Sequence, residues 1–362
     1  MSKDKFNSRC YAISLIESNN SNFNADFTGN PRRLPDEKGT IFATDKVYKY
    51  AMRRFWIDNN KDVFVWRSHN DNGKLKTREE RMEFMKEKLK NNENLKELND
   101  KKSKIKSEIK NIKNPTTNEG KKIKKEKELE IEVVNQKITK FIFSECIDTK
   151  LFGVTYTGKD NSIALTGPVQ ISYGVNRLNS NTNYIVDILS PYPNTEGEGE
   201  DEKVKNQGSI GKDMKNLKTY YAYDVSLNPK NITSHYSEDK YLKNIMALND
   251  NDINDLKEAL KKSVTSLDTT SKKDSENIML LFIKMNDCQE FLPSMKNLVD
   301  INYDEKGQVS VDLKKIFCLL KDKKDSINEI NLIYNKYKIV IDCGDLKDEN
   351  NFEEKVTIDT TL

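Results

Sequence analysis

The sequence predicts an α+β fold carrying large insertions. Short apolar runs bounded by polar residues recur along the chain, as strands do. An amphipathic helix follows the first of them, and a Lys-rich stretch with helical periodicity then interrupts the strand pattern. At 362 residues the chain can bury a sizeable core. Apolar residues make up 35% and charged residues 33%, so part of the chain is solvated rather than packed.

Residues 9–16, RCYAISLI, read as a buried strand. A polar, Asn-rich loop, ESNNSNFNADFTGNPRRLP, runs on to about Pro35. Residues 45–58 form a helix, and 62–67, DVFVWR, a strand. From Arg78 to Ile112, Met82, Met85, Leu89, Ile105, Ile109 and Ile112 recur at three- and four-residue spacing among Lys and Glu. Asn114-Pro115 stops that helix, and a second runs from about Glu119 to Lys137. Residues 71–140 thus read as a helical hairpin inserted into the domain. Its apolar seam is too thin for a long coiled coil.

Strand character returns at 141–175. The polar segment 178–217, with the acidic run EGEGEDE at 196–202, is too long for an ordinary loop and reads as a functional protrusion or as disordered. Strand TYYAYDVSL (219–227) is followed by a helix at roughly 250–264 with Ile253, Leu256 and Leu260 on one side. Strands IMLLFI (278–283) and YKIVID (337–342) complete the pattern. A strand–helix–strand core with helices on one face suggests a ferredoxin-like or RRM-like arrangement.

Composition narrows the function. Net charge is only +3, but residues 71–140 carry 21 Lys and Arg against 14 Asp and Glu. Residues 1–70 carry 12 against 8, and the remainder is mildly acidic. Such asymmetry suits a polyanion along one face, or a merely soluble Lys-rich helix. Five scattered cysteines form no CxxC pair, and no apolar run could span a bilayer, so a cytoplasmic protein without a membrane partner is expected. The two histidines, His69 and His235, are far apart, which predicts neither a metal site nor a His-based triad, and no cofactor is implied. Residues Gly153 to Asp160 nearly spell a P-loop. Asp160 stands where Ser or Thr should be, and the following NSIALTGPVQI is β-like, so nucleotide hydrolysis is rejected. Tyr220, Tyr221 and Tyr223 could stack on bases, although strand aromatics more often pack in a core.

The helix at 45–58 is the most informative element. Lys46, Lys49 and Arg53 fall within roughly 60° of one another on its surface, while Val47, Tyr48, Ala51, Met52 and Phe55 fill the opposite arc. Thr44 is a plausible N-cap. A basic ridge beside a loop bearing Asn24, Asn30, Arg32 and Arg33 suits a sugar–phosphate backbone, against the commoner alternative of a solvated helix face.

In order, these pieces resemble the CRISPR-associated Cas-seven family, in particular its type I-B (DevR-like) branch. The resemblance rests on NFNADFTGNPRR…TDKVYKYAMRR, on Leu151-Phe152-Gly153, on Thr166-Gly167-Pro168-Val169-Gln170, and on Ser209-Ile210-Gly211 before YYAYDVSLNP. The chain has Asn22-Phe23-Asn24-Ala25-Asp26 where the family often has Asn-Pro-Asn-Gly-Asp, and Thr270-Ser271-Lys272-Lys273 where it often has an Arg-Ser-Arg-like element. The resemblance implies an RRM-like palm at 1–70, 141–177 and 218–362, a helical finger at 71–140, and a thumb β-hairpin at 178–217. It implies a non-catalytic backbone subunit of a Cascade surveillance complex whose copies polymerise along a CRISPR RNA, beside other Cascade subunits, and present it for pairing with target DNA. Lys46, Lys49 and Arg53 would meet guide phosphates, Gly167 and Gln170 would lie beside the guide, and Ile210 would be the thumb's apolar wedge. The alternative is a type III-like subunit that cleaves target RNA, with Asp26 as its catalytic candidate.

Overall fold

A computed structural model describes residues 5–112, 117–158, 161–193, 207–346 and 352–362. The first part of the chain contains β1 (Cys10–Ser21), β2 (Phe42–Ala43), α1 (Asp45–Asp58), α2 (Arg78–Lys88), α3 (Glu93–Lys110), α4 (Asn118–Glu145) and α5 (Ile147–Phe152). Then come β3 (Gly153–Thr157), β4 (Ser162–Thr166), β5 (Val169–Ile171), β6 (Gly174–Asn176), β7 (Asn183–Pro193) and β8 (Gln207–Leu227). The rest contains α6 (Lys230–Thr233), α7 (Lys240–Ile245), α8 (Asp250–Lys262), β9 (Ser275–Met285), β10 (Asp300–Tyr303), β11 (Val309–Asp312), α9 (Lys314–Asp322), β12 (Ile327–Tyr334), β13 (Ile339–Asp342) and β14 (Val356–Asp359).

The main sheet runs β14-β12-β9-β1-β8-β6-β2, with β5 and β7 also paired to β8. β1 lies near its centre, antiparallel to β8 (Cys10 opposite Leu227) and to β9 (Tyr11 opposite Ile283). Cys10, Ala12 and Ile16 face a core shared with α1 and α8, while Tyr11, Ile13 and Leu15 face a second core with α9 and the small sheet β10-β11-β13. The expectation of helices on one face is therefore corrected: both faces are covered. A strand buried at every position, as Cys10 to Ile16 are, requires such cover. The second layer escaped the sequence reading because β10 and β11 are only four residues each. YKIVID accordingly ends in β13, parallel to β11 in the small sheet, and the main sheet gains β12 and β14 instead.

α1 forms where expected, burying Val47, Tyr48, Ala51, Met52 and Trp56. The Tyr48 hydroxyl stitches it to the sheet and to α8, 2.6 Å from Ser14 Oγ and 3.1 Å from the Leu260 carbonyl, to which it donates. Residues 62–67 are not a strand. Buried Val63 and Phe64 are held instead by side chains: the Phe64 N–H donates to the Asp148 carboxylate, and Arg81 donates to the carbonyls of both. The helix expected over 78–112 breaks between Lys88 and Glu93, where Asn92 accepts from the Asn94 N–H and starts α3 afresh. α4 runs to Glu145 and α5 follows, so residues 141–152 are helical rather than extended. Their aromatic and β-branched character comes from burial against the first core, by Ile147, Leu151 and Phe152, and, by Phe141, Ile142 and Phe143, against a third. That core joins Met82, Met85, Leu95, Ile105 and Val134 of the helical insertion to Phe64, Phe141, Tyr156, Ile163 and Leu242.

The near-P-loop is a β3–β4 hairpin pairing Gly153 to Thr166, and its Lys159-Asp160 lies outside the described residues, as do Asn114-Pro115 and EGEGEDE. Within 178–217, β7 pairs with the first part of β8, which continues without interruption into the central sheet. The hairpin exposes Ile185, Val186, Ile188 and Leu189.

One buried charge sits at its base. Glu17, 5% exposed, accepts hydrogen bonds from the Tyr220 hydroxyl at 2.9 Å and Lys338 Nζ at 3.0 Å, with Lys218 Nζ 3.5 Å away. Burial opposes its ionisation, but the bonds from Lys338 and Tyr220 and the nearby Lys218 outweigh that and hold its carboxyl below the ordinary 4.5. Because the folded value is the lower one, this stabilisation is complete above pH 4.5 and is lost as pH falls through the folded value. Urea unfolding of Glu17→Gln should therefore show less acid destabilisation below that pH than wild type. An unchanged pH profile would mean that Glu17 is not the group that titrates.

Candidate nucleic-acid interface

The N-terminus of α1, the Asn-rich loop and the α8–β9 loop surround an open cleft of about 650 Å³. The loop folds back so that Asn24 Oδ1 accepts both the backbone N–H (2.8 Å) and the hydroxyl (3.0 Å) of Thr44. Thr44 sits at the N-cap position but makes no side-chain cap bond. The uncapped first turn of α1 therefore lines the cleft through Asp45, Lys46 and Val47.

Three cations line the same cleft: Arg32, Lys46 and Lys272. Lys46 is exposed and has no ion pair among the described residues. The Arg32 Nε is buried without a hydrogen-bond partner among the described residues. Lys272 is half-buried, with Nζ 3.4 Å from Ser271 Oγ, and burial pushes its ammonium below the usual lysine value. Asp45 is the one carboxylate among the lining residues, and Lys49 engages it at 3.0 Å. Thr269 and Ser271 add hydroxyls. Two aromatic walls complete the cleft: Tyr50 stacks on Trp66 (5.2 Å between centroids, 16° between planes) and Tyr173 on Phe42 (5.3 Å, 28°). Cations with few carboxylates, hydroxyl donors and fixed ring faces form a surface for a polyanion bearing flat groups.

Asn24, Arg32, Thr44 and Lys46 are brought together as the sequence suggested; the other expected residues are placed elsewhere. Lys49 is held by Asp45 and by the ring of Phe152, 5.2 Å from its centroid. Arg53 Nε donates at 2.9 Å to Asp148, which is wholly buried and also accepts from the N–H groups of Phe64 (2.7 Å) and Val65 (3.0 Å). The open basic ridge is thereby reduced to Lys46. Arg33 ties the loop to the hairpin base through Gly39 O, Asn181 O and Asn183 Oδ1. Asn30 closes a turn capped by Asp26, whose Oδ1 accepts from Thr28 N (2.8 Å), Thr28 Oγ1 (2.7 Å) and Asn30 N (3.0 Å). Those bonds, the Thr28 hydroxyl first, hold the Asp26 carboxyl below its usual value.

Gly167 lies where the Leu-Phe-Gly and Gly-Pro-Val-Gln segments touch. A Cβ there would sit 2.3 Å from Gly153 N, and one on Gly153, at φ +78°, would sit 2.1 Å from Leu165 O. Only glycine allows this backbone contact. Gln170 lies opposite Ser226 on β8, on the sheet face away from α1, and donates to Gly167 O. Ile210 is on β8 just before Gly211, and its side chain lies outside the described residues. Tyr220, Tyr221 and Tyr223 are all buried, so they pack in the cores and offer no face for stacking. Sequence reasoning missed Tyr50, Tyr173 and Lys272 as cleft residues. The Lys272-Lys273 pair just before β9 was the available signal for the last.

Among the described residues no cluster of three His, Cys, Asp or Glu could hold a metal ion, and no helix is long and apolar enough to cross a membrane. The fold and cleft define an α+β protein with a cationic, aromatic-walled groove beside a projecting hairpin. The family model for CRISPR-associated protein Cas7 matches residues 8–321, and the chain belongs to that family. Two solved chains are similar to it. One, from a "CRISPR RNA-guided surveillance complex, pre-nicking", has a TM-score of 0.48 at 11% identity, over 92% of this chain and 94% of the other. A second, from a "CRISPR RNA-guided surveillance complex", has a TM-score of 0.47 at 9% identity, over 98% and 95%. No curated protein matches.

Proposed function

We propose that this chain is a non-catalytic backbone subunit of a CRISPR surveillance complex, of the type I-B branch, which holds guide RNA by its sugar–phosphate backbone. The observation that carries this reading is the cleft at the start of α1. Arg32, Lys46 and Lys272 converge there with uncapped helix N–H groups, and the one lining carboxylate is already paired. Such a surface supplies affinity without reading sequence, which base pairing between guide and target DNA then provides. Residues 71–140 would serve as a finger, 178–217 as a thumb, and the remainder as an RRM-like palm. The exposed apolar hairpin residues Ile185, Val186, Ile188 and Leu189 suit contact with the next copy along the guide, in a cytoplasmic assembly with other Cascade subunits. The turn-capping role of Asp26 favours holding over cutting.

Co-expressed with its repeat array and partner subunits, the protein should retain short RNA of uniform length. Lys46→Glu with Lys272→Glu should weaken RNA binding at least about tenfold, equally for guides of any sequence. Removal of each phosphate contact should lower the log–log salt slope by about 0.7. Lys273→Glu is the control, since Lys273 pairs with Asp268 at 2.7 Å. RNA-free protein from such cells would overturn the reading. Regularly spaced cuts in a complementary RNA, lost in Asp26→Ala, would replace it with the ribonuclease.

A further inference from the structure

We infer that Phe27 is an aromatic platform on which a base of the bound single strand stacks, an inference that rests on the RNA-holding reading above. Phe27 is 99% exposed and makes no ring contact among the described residues, so it contributes nothing to the core. Its position is nevertheless fixed. Asp26 N donates to Asn30 O at 2.7 Å, the Asp26 carboxylate caps Thr28 and Asn30, and Ala25 bridges to Pro31 across the turn. Asn22 Nδ2 then ties the turn down, donating to Gly29 O at 2.9 Å and to Met214 O on β8 at 3.0 Å. A fully solvated Phe on a braced turn is pre-organised for a partner from outside the chain.

The site favours a nucleobase as that partner. The two arms of the turn deliver Asn24 and Arg32 to the cleft, and at most about 10 Å of extended chain separates Phe27 from Asn24. A strand held by its phosphates in the cleft therefore passes close to the ring. Within the turn, Phe27 is flanked by Asp26, Thr28, Gly29 and Asn30. A protein hot spot needs surrounding contacts that exclude water, whereas base stacking needs one open ring face beside a cationic track.

The test uses the full chain and a fluorescently labelled single-stranded RNA of mixed sequence, read by anisotropy. Phe27→Ala should lose about fivefold to a hundredfold in affinity. Its salt slope should not change, because no phosphate contact is removed, and its thermal midpoint should match wild type. Phe27→Leu should behave like Phe27→Ala. Phe27→Trp should keep its affinity and show emission quenched by RNA beyond the wild-type background of Trp56 and Trp66. Wild-type affinity in Phe27→Leu, or an unquenched Phe27→Trp bound to RNA, overturns the stacking role while leaving the cleft reading intact. Loss of self-association in Phe27→Ala with unchanged RNA affinity also overturns it, assigning the ring to a protein contact. A wild-type chain that binds no RNA removes the RNA-holding reading and this inference together.

Discussion

Asp148→Ala should cost about 3–5 kcal/mol of folding stability, a large fraction of what a domain has. The carboxylate is wholly buried and satisfies three donors, Arg53 Nε and the N–H groups of Phe64 and Val65. Its removal leaves the Arg53 guanidinium, largely shielded from water, without its counter-charge and strands two backbone donors. Arg53→Glu should do at least as much damage, because it sets a second carboxylate against a buried one. This differs from what the helix pattern of the sequence suggests, where Arg53 sits on the polar arc and looks safe to reverse. Urea unfolding of Asp148→Ala, Arg53→Glu and Lys46→Glu separates the cases. The first two midpoints should drop sharply, and the third should stay within about 0.5 kcal/mol of wild type. An Arg53→Glu protein that is fully stable yet releases RNA would return Arg53 to the phosphate-binding surface.

Deleting residues 78–137 and joining the ends with a short linker should leave a protein without a cooperative unfolding transition. From sequence, the helical insertion buries little in common with the rest of the chain. In the structure it contributes Met82, Met85, Leu95, Ile105 and Val134 to a core shared with Phe64, Phe141, Tyr156 and Ile163. At about 1.5–3 kcal/mol for each large apolar side chain returned to water, exposing those four costs roughly as much as a whole domain's net stability. Circular dichroism during thermal unfolding, with light scattering for aggregation, reads the result. A sharp transition in the truncated protein would show that the insertion folds apart from its base.

How much of the site was legible follows from the range of each interaction. α1 was readable to the residue, because its pattern is local and its bounds, Asp45–Asp58, follow Thr44. The pairing of Lys49 with Asp45 was also readable in principle, as an i,i+4 pair. The partner of Arg53 was not, because Asp148 is 95 residues away and comes near only through the folding of α5 under α1. Residues 141–152 were read as extended because aromatic and β-branched residues dominate them. That composition marks burial as much as strand, and a helix buried on several sides loses its periodicity. Lys272 could be placed in the cleft only once β9 was known to pair with β1.

That pairing also governs how the chain can be made. β1 leaves the ribosome ahead of its neighbours β8 and β9, which lie roughly two hundred residues or more further along. At ordinary rates of synthesis, about 5–20 residues per second, its apolar run waits roughly 15 seconds to a minute for β9 to exist. The edge that β8 covers stays open until β8 is made, and the β9 edge stays open longer still, the condition under which nascent chains pair with one another. Successful production of this protein therefore depends on shielding β1 until β8 and then β9 have been translated, and slowed elongation before β9 should lower soluble yield without changing the native state at all.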